Sequence, residues 1–316
     1  MRICRIGELM LVDEKVLFQF ESGLNPQHIE KSTIPATLIG YGEISAIFQI
    51  GDSSDTAFKR LPLFSDRSSA QMYIRQYNEY CRLLTDAGLN LPPDQTFIIT
   101  SAQRPVVLYI AQKKLPADRF AHKLIHTLEA GEIQLLLEKI VAEIAKIWRY
   151  NQTVLPDREL ALDGQLSNWV WLESEAGVLL FYIDTSTPIF RKNGLDQMDP
   201  ELFLKSAPGF LRWIIRLFFL NDVMTRYYDQ RQVYIDLAAN LHKEQRPDLI
   251  PLLVDLINQH MPAGHRPLSL KTVEKYYRED KLIWTLFLAF RRIDRWLMTR
   301  VLGRRYEFIL PGKIKR

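Results

Sequence analysis

Three polar residues in the middle of the chain have the types and spacing needed to move a proton and to bind a metal ion. Asp163 and Asn168 lie five residues apart, directly before the apolar run that begins at Trp169. On a loop, this spacing lets the carboxylate accept a proton from a substrate hydroxyl while the amide oxygen faces a metal ion. Asp184 ends the next apolar run, where a lone carboxylate is costly unless it is paired or bound to a cation. The simpler interpretations are an Asp-Gly turn at Asp163 and a turn cap at Asp184.

Two features nearer the N-terminus suit a phosphate group. Gly40 and Gly42 lie between two strand-like halves, where glycine lets the backbone approach a ligand and direct N–H groups at phosphate oxygens. Lys59 lies in the next strand-like run, and its ammonium group can act as a point charge on a phosphate. The alternatives are an ordinary strand turn for the glycines and a solvent-facing edge position for the lysine.

A β-rich region that contains one helix would position the lysine and the glycines. Short apolar runs up to about residue 112 predict strands, among them 16–20 and the glycine-interrupted stretch 36–50. Between the strands, residues 66–87 predict a helix, because a Ser or Asp cap precedes it, Gly88 can end it and tyrosines recur at helical spacing.

A mainly helical region would carry the two aspartates. Beyond residue 112 the pattern predicts amphipathic helices, interrupted by one hairpin whose strands are 166–172 and 178–183. We therefore predict an α+β protein with a β-rich region at 1–112 and a helical region at 113–316 that contains the hairpin.

The order of these elements resembles the protein-kinase-like fold, and within it the aminoglycoside phosphotransferase type of small-molecule kinase. The shared order runs over roughly residues 36–190: a glycine-rich turn, a strand lysine, a helix with a glutamate, a hairpin, two helices, Asp-x4-Asn, a second hairpin and Ile-Asp. The resemblance implies two lobes, a small antiparallel β-rich N-lobe with one helix and a larger helical C-lobe, with Mg-ATP bound between them.

The resemblance also implies a role for each candidate residue. Asp163 matches the catalytic aspartate, and Asn168 and Asp184 match the ligands of Mg²⁺. The backbone of segment 106–113 matches the strand and hinge that would bind the adenine. The nucleotide-binding residues are then Gly40, Gly42, Lys59, Glu79, Tyr109 and Ala111. Glu79 would orient Lys59; the alternative is a surface pair of Glu79 with an arginine of its own helix.

Two departures from the family pattern concern catalysis. Ala161 stands where the family has the histidine that braces the catalytic loop, and Thr185-Ser186 stand where protein kinases have Phe-Gly.

We expect an ATP-dependent phosphotransferase that uses ATP and Mg²⁺ and acts on a hydroxyl of a small molecule. The alternative is a catalytically impaired kinase-like protein that binds a nucleotide or a partner. The acceptor is not specified by the sequence.

Composition and charge limit the class of protein and the kinds of binding partner that the sequence allows. The chain has 316 residues, 47% of them hydrophobic and 25% charged, which excludes a disordered protein, and its two cysteines exclude a disulfide scaffold. The net charge of +4 does not favour nucleic acid. Residues 291–316, however, carry nine Lys or Arg against two acidic residues. Besides a solvated tail, this indicates an anionic membrane surface as a partner and, as a further alternative, a kinase for a lipid-linked sugar.

Neither of the two most apolar runs, 210–223 and 282–289, reaches the length of a membrane span. The first residues, which include Arg2, Arg5 and Glu8, do not have the pattern of a signal peptide. The expected location is cytoplasmic, peripheral to a membrane if the basic segment binds one.

Overall fold

The structure is a computed structural model, and it describes an α+β protein whose antiparallel sheet precedes a mainly helical part. The described residues are 12–42, 44–101, 104–153, 157–174, 177–199, 202, 225–262 and 264–310. The predicted α+β class, with strands first and helices after, is confirmed. The boundary near residue 112 stays a prediction, and the apolar run 210–223 lies outside the described residues.

Five antiparallel strands form the N-terminal sheet, in the order β1-β2-β3-β5-β4. They are β1 (Ala36–Tyr41), β2 (Ala46–Ile50), β3 (Thr56–Phe64), β4 (Asp94–Ile99) and β5 (Val106–Lys113). Because β5 enters the sheet between β3 and β4, its backbone is paired on both sides. Strand β3 also has neighbours on both sides, so Lys59 is not at an edge position.

Helices cover both faces of this sheet. Helix α1 (Glu14–Gly23) packs against one face through Leu17 and Phe20, and α2 (Arg67–Asp86) packs against the other through Tyr73 and Tyr77. The prediction of a strand at 16–20 is therefore wrong. The physical reason is the cap of α1: the Asp13 carboxylate accepts a hydrogen bond from the backbone N–H of Lys15 and starts a helix instead.

Helix α2 begins and ends where the sequence predicts. The carboxylate of Asp66 accepts a hydrogen bond from the backbone N–H of Ser69 at 2.8 Å, which satisfies one of the free donors of the first turn. Gly88 follows the helix with φ +90°, a backbone conformation that favours glycine, and so ends it.

Five α-helices of the helical part have both ends within the described residues. They are α3 (Ala121–Leu124), α4 (Ala130–Thr153), α5 (Gln230–Lys243), α6 (Ile250–His260) and α7 (Leu270–Trp296), and α7 continues as a π-helical turn at Leu297–Val301. The apolar face of α4 is buried at Leu136, Ile140 and Ile144, and α5 and α6 pack against it. This packing makes α4 the centre of the largest apolar cluster.

Short strands lie between α4 and α5. Strands β7 (Trp169–Ser174) and β8 (Gly177–Tyr182) form the predicted hairpin. Strands β6 (Arg158–Leu160), β9 (Phe190–Lys192) and β10 (Leu195–Asp196) form a small sheet in the order β10-β9-β6. The loop from β6 to β7 carries Asp163 and Asn168, and Asp184 follows β8.

The last described residues return to the N-terminal sheet. We call residues 305–310 the C-terminal strap. Its Phe308 and Ile309 pack against the apolar clusters on opposite faces of the sheet, and Tyr306 accepts a hydrogen bond at its carbonyl from the Gln27 amide. The two ends of the described chain are therefore joined through the sheet.

Within the part of the chain that the structure describes, no helix combines the length and apolar character that crossing a membrane requires.

Candidate functional site

Lys59 is buried on the face of β3 that packs against α2. Its side chain is 3% exposed, although its neighbours Ile47 and Ala57 on the same sheet face are only half-buried. The ammonium group donates a hydrogen bond of 2.5 Å to the backbone carbonyl of Ile183. Burial lowers the pKa of Lys59 below its ordinary value, and the nearby charge of Asp184 opposes that shift only in part. The predicted proximity of Lys59 and Asp184 is present in the structure.

A chain of three hydrogen bonds joins Lys59 to the loop of Asp163. It begins with the bond from Lys59 to the Ile183 carbonyl. The backbone N–H of Ile183 donates to the carbonyl of Asn168 at 3.0 Å. The Asn168 side-chain Nδ2 in turn donates to the carbonyl of Asp163 at 3.1 Å. Three residues that the sequence singled out, at 59, 163 and 168, are thereby connected across two regions of the fold, and Asp184 is the next residue after Ile183.

The carboxylates of Asp163 and Asp184 are half-buried and held by short-range hydrogen bonds. Asp163 Oδ1 accepts from the backbone N–H of Gln165 at 3.0 Å, and Asp184 Oδ1 accepts from the Ser186 hydroxyl at 3.1 Å. Both carboxylates also act electrostatically on the phenol of Tyr182, whose pKa is raised well above its ordinary value, first by burial. Both aspartates therefore lie near the buried phenol of Tyr182.

Three tyrosines of α2 hold this neighbourhood together, and sequence reasoning missed that role. The hydroxyl of Tyr73 donates to the carbonyl of Ser186 at 2.5 Å, and the Tyr77 hydroxyl lies 3.3 Å from Thr185 Oγ1. The Tyr80 hydroxyl donates to the carbonyl of Ala161 at 2.9 Å. The sequence identified the tyrosine stripe only as an apolar face. The available signal was that a buried phenol needs a hydrogen-bond partner.

Helix α5 braces the loop of Asp163 from the other side. The buried amide of Asn240 accepts a hydrogen bond from the backbone N–H of Leu166 at 3.0 Å. The carboxylate of Asp236 accepts from the Gln165 side chain at 3.0 Å and from the Tyr276 hydroxyl at 2.9 Å. Together with Tyr80, these groups hold the loop although the residue at 161 is an alanine.

The expected pairing of Glu79 with Lys59 is wrong. Glu79 lies on the side of α2 that faces β6, where its carboxylate pairs with Arg158 at 3.2 Å. The reason is helical phase: Glu79 is rotated away from the stripe of Tyr73 and Tyr77 that faces the sheet. The expected alternative, a pair with an arginine of its own helix, is also not what the structure has.

Two carboxyl groups act on Lys59 instead. After burial, the largest effect on its pKa comes from Asp184, and Asp94 at the start of β4 contributes as well. Burial raises the pKa of Asp94 itself above its ordinary value, and Tyr77 and Lys59 oppose this. Asp94 lies opposite Gln112 in the sheet register, and the Gln112 amide donates to Thr185 Oγ1 at 3.5 Å.

The expectation that Tyr109 and Ala111 bind a nucleotide is contradicted as well. Both lie in the middle of β5, paired with β3 on one side and β4 on the other, so their backbone groups are directed at neighbouring strands. The side chain of Tyr109 lies on the sheet face of α1, where its hydroxyl donates to Glu21 Oε2 at 2.6 Å. This face is opposite to the one that carries Lys59.

Tyr109 belongs to a buried ion cluster that sequence reasoning did not find. Arg60, 1% exposed, donates from Nε and Nη2 to the two carboxylate oxygens of Glu21 at 2.7 and 2.8 Å. Arg60 Nη2 also reaches Glu307 Oε2 of the C-terminal strap at 2.9 Å. Burial opposes the charge of Glu21, but Arg60 outweighs it and keeps the pKa of Glu21 below its ordinary value. We call Glu21, Arg60, Tyr109 and Glu307 the strap cluster.

Gly40 and Gly42 lie at the end of β1 and in the turn to β2. The N–H of Gly42 donates to the carbonyl of Ser45 at 2.9 Å, which closes the turn. A Cβ at Gly42 would lie 2.5 Å from Ser45 Oγ, and one at Gly40 would lie 3.2 Å from Ile47 Cδ1. Gly40 is paired with Ile47, which is paired with Lys59, so both glycines lie at the same end of the sheet as the lysine.

The residues that meet here fit Mg²⁺ better than they fit the phosphates of a bound nucleotide. Asp184 and Asn168 supply a carboxylate and an amide oxygen, ligand types that Mg²⁺ accepts when phosphate and water complete its shell. Within the described ranges no three His, Cys, Asp or Glu side chains cluster as a metal site. Lys59 is only 3% exposed, so a phosphate reaches its ammonium group only if the residues that bury it move apart.

The model of DUF6206, described as a family of unknown function, matches residues 28–295. The chain belongs to this family. A comparison with curated proteins found no match. Among solved structures, the crystal structure of WbdD is similar with a TM-score of 0.32 and 12% sequence identity, covering 78% of this chain and 50% of that chain. The DUF6206 chain thus spans about half the length of the WbdD chain, and a TM-score this low does not establish a common fold.

Proposed function

We propose that this protein is an ATP-dependent phosphotransferase with a two-lobed, kinase-like arrangement that transfers a phosphoryl group to a hydroxyl of a small molecule. The observation that carries the proposal is the hydrogen-bond chain from Lys59 through Ile183 and Asn168 to Asp163, with Asp184 beside it. A strand lysine, an amide and two carboxylates at one junction are the groups that phosphoryl transfer needs.

The proposed roles follow from the chemistry of each group. Lys59 has N–H donors beyond the one that is bonded to the Ile183 carbonyl, and these pair with phosphate oxygens, which supply a counter-charge to a lysine whose pKa burial has lowered. Asp184 and Asn168 hold Mg²⁺, which neutralises phosphate charge when it is bound. Asp163 orients the acceptor hydroxyl and takes its proton. The half-buried Ile47 and Ala57, on the sheet face of Lys59, offer an apolar surface for the base.

Nucleotide binding is tested first, by thermal unfolding with and without ATP and Mg²⁺. A ligand at a hundredfold excess over its Kd adds about 2.7 kcal/mol to the free energy of unfolding, so a Mg²⁺-dependent rise in Tm is expected. Lys59→Met abolishes the rise, whereas the exposed control Lys123→Met keeps it.

Catalysis is tested with a panel of hydroxylated acceptors and radiolabelled ATP. Asp163→Ala keeps the Tm response to Mg-ATP but lowers phosphoryl transfer by about 10²–10⁴-fold, the usual contribution of a general base. The matched control is Asp118→Ala, because Asp118 is an exposed loop aspartate. Unchanged transfer in Asp163→Ala would refute the assigned role.

The second candidate is a kinase-like protein without catalytic activity that binds a nucleotide or a partner. Two observations favour it: Lys59 is bonded to the protein's own backbone, and Glu79 pairs with Arg158 instead of orienting the lysine. This candidate predicts no turnover with any acceptor. Absence of a Tm response at millimolar ATP would reject nucleotide binding and leave the interaction role.

A further inference from the structure

The outer face of α7 exposes a row of large apolar side chains. Leu282, Leu286 and Ile293 are separated by four and seven residues, which places them on one side of the helix. Leu282 is 61% exposed, and Trp296 at the end of the same row is 58% exposed. An exposed row of this length on one helix indicates a surface for an apolar partner. We call these four residues together with Ile283 the α7 apolar row.

Exposed basic residues surround the α7 apolar row. Lys281 precedes it, Arg292 lies beside Ile293, and Arg300 and Arg304 follow it, and all four are exposed. The segment 291–316 carries a net charge of +7, from nine Lys or Arg and two acidic residues. Apolar side chains on one side and basic side chains around them are the features of a helix that lies in the surface of an anionic membrane.

We propose that α7 docks on an anionic lipid surface, with the α7 apolar row in the acyl boundary and the basic residues at the headgroups. The charge decides between lipid and a second copy of this chain, because two copies would bring like charges together at the row, whereas anionic headgroups neutralise them. The proposal rests on exposure and charge on α7 and is independent of the proposed phosphotransferase activity.

The experiment is flotation of the full chain with vesicles of phosphatidylcholine alone or of phosphatidylcholine mixed with phosphatidylglycerol. The wild-type chain is expected to float with the anionic vesicles only, and added salt weakens this binding because it screens the charges. Leu286→Glu with Ile293→Glu lowers the partition coefficient by more than about tenfold, since two apolar side chains no longer enter the membrane. Arg300→Glu with Arg304→Glu lowers it by at least about fivefold for each position, because each change removes a positive charge and adds a negative one.

Matched controls change the same residue types elsewhere on the surface. Met72→Glu with Leu195→Glu replaces exposed apolar side chains outside α7, and Lys123→Glu with Lys192→Glu reverses exposed lysines. The apolar control keeps the binding of the wild-type chain. The charge control keeps most of it, since it lowers net charge without touching α7.

Three results would overturn the proposal. The first is equal binding to neutral and anionic vesicles, or binding that Leu286→Glu with Ile293→Glu leaves unchanged. The second is a dimer in size-exclusion chromatography that the same double variant converts to a monomer, which would assign the row to a second copy. The third is a large fall in the Tm of that variant without lipid, which would mean that another part of the chain covers the row.

Discussion

Removal of the negative charge of Glu21 is expected to destabilise the protein more than removal of the negative charge of Glu307, the other carboxylate of the strap cluster. In Glu21→Gln, Arg60 stays buried but loses its main counter-charge. The wild-type Glu21 carboxylate accepts three hydrogen bonds of 2.6–2.8 Å, two from Arg60 and one from Tyr109. Breaking a buried ion pair costs about 3–5 kcal/mol. Because Glu307 still neutralises part of the charge of Arg60, we expect about 3 kcal/mol.

Glu307→Gln provides the internal comparison. Its carboxylate makes one bond to Arg60, at 2.9 Å, and its side chain is 15% exposed, so the expected loss is about 1–2 kcal/mol. In the double variant Glu21→Met with Arg60→Met, the loss of stability should be smaller than the sum of the losses in the two single variants. The reason is that the double variant removes both charges of the Glu21–Arg60 pair, so neither is left buried without its partner. Urea unfolding at pH 7 measures all variants through the midpoint at constant slope.

The pH dependence of the Glu21 variant gives a second readout. The pKa of Glu21 lies below 4.5 in the folded protein, so its stabilising effect is complete above pH 4.5 and is lost as the pH falls further. The difference between the wild type and Glu21→Gln should therefore shrink below pH 4.5. A loss under 1 kcal/mol at pH 7, or a difference that does not change in acid, would refute the role given to the strap cluster.

Three smaller effects are expected elsewhere. His122 has its pKa lowered to about 4, mainly by burial, so stability falls as the pH drops from 6.5 towards 4. Because the side chain is partly exposed, solvent screening reduces the expected loss to about 1–2 kcal/mol, and His122→Leu removes this slope in urea unfolding. Asp66→Ala removes the cap of α2 and costs about 1 kcal/mol by the same assay, whereas Asp66→Asn retains most of it. Lys59→Met keeps or raises the free energy of unfolding at pH 7. Its gain over the wild type shrinks as the pH rises towards 10.5, because Lys59 binds a proton less readily in the folded than in the unfolded protein. A variant that is less stable than the wild type at pH 7 would contradict this.

Local signals explain which parts of the fold could be predicted. Helix α2 has a cap at Asp66, a stop at Gly88 and an apolar stripe, and all three act within one or two turns. The run 16–20 is harder to assign, because a short apolar and aromatic run fits a strand as well as a buried helix. The signals that decide it are the cap at Asp13 and the spacing of Leu17, Phe20 and Leu24, which are buried on one side of the sheet.

In the candidate site, too, local sequence signals identify some residues, whereas contacts between distant parts of the chain could not be predicted. Lys59, Asn168 and Asp163 could be selected because each is a polar residue at a strand or a loop next to a strand. The partner of Glu79 could not be predicted, because Arg158 is 79 residues away in the sequence. The position of Glu79 on its helix shows which way the side chain points but does not identify the residue that it pairs with. The hydroxyls of Tyr73 and Tyr80 likewise donate to backbone carbonyls that only the folded chain brings near, those of Ser186 and Ala161.

The C-terminal strap has a consequence for synthesis of the chain. Arg60 and Glu307 are separated by 247 residues, so the N-terminal sheet leaves the ribosome long before the carboxylate that completes its ion cluster exists. Contacts at such separation form late and slowly. A nascent chain that stops before residue 305 should therefore keep its sheet open to protease, whereas a chain that includes residues 305–310 should become resistant.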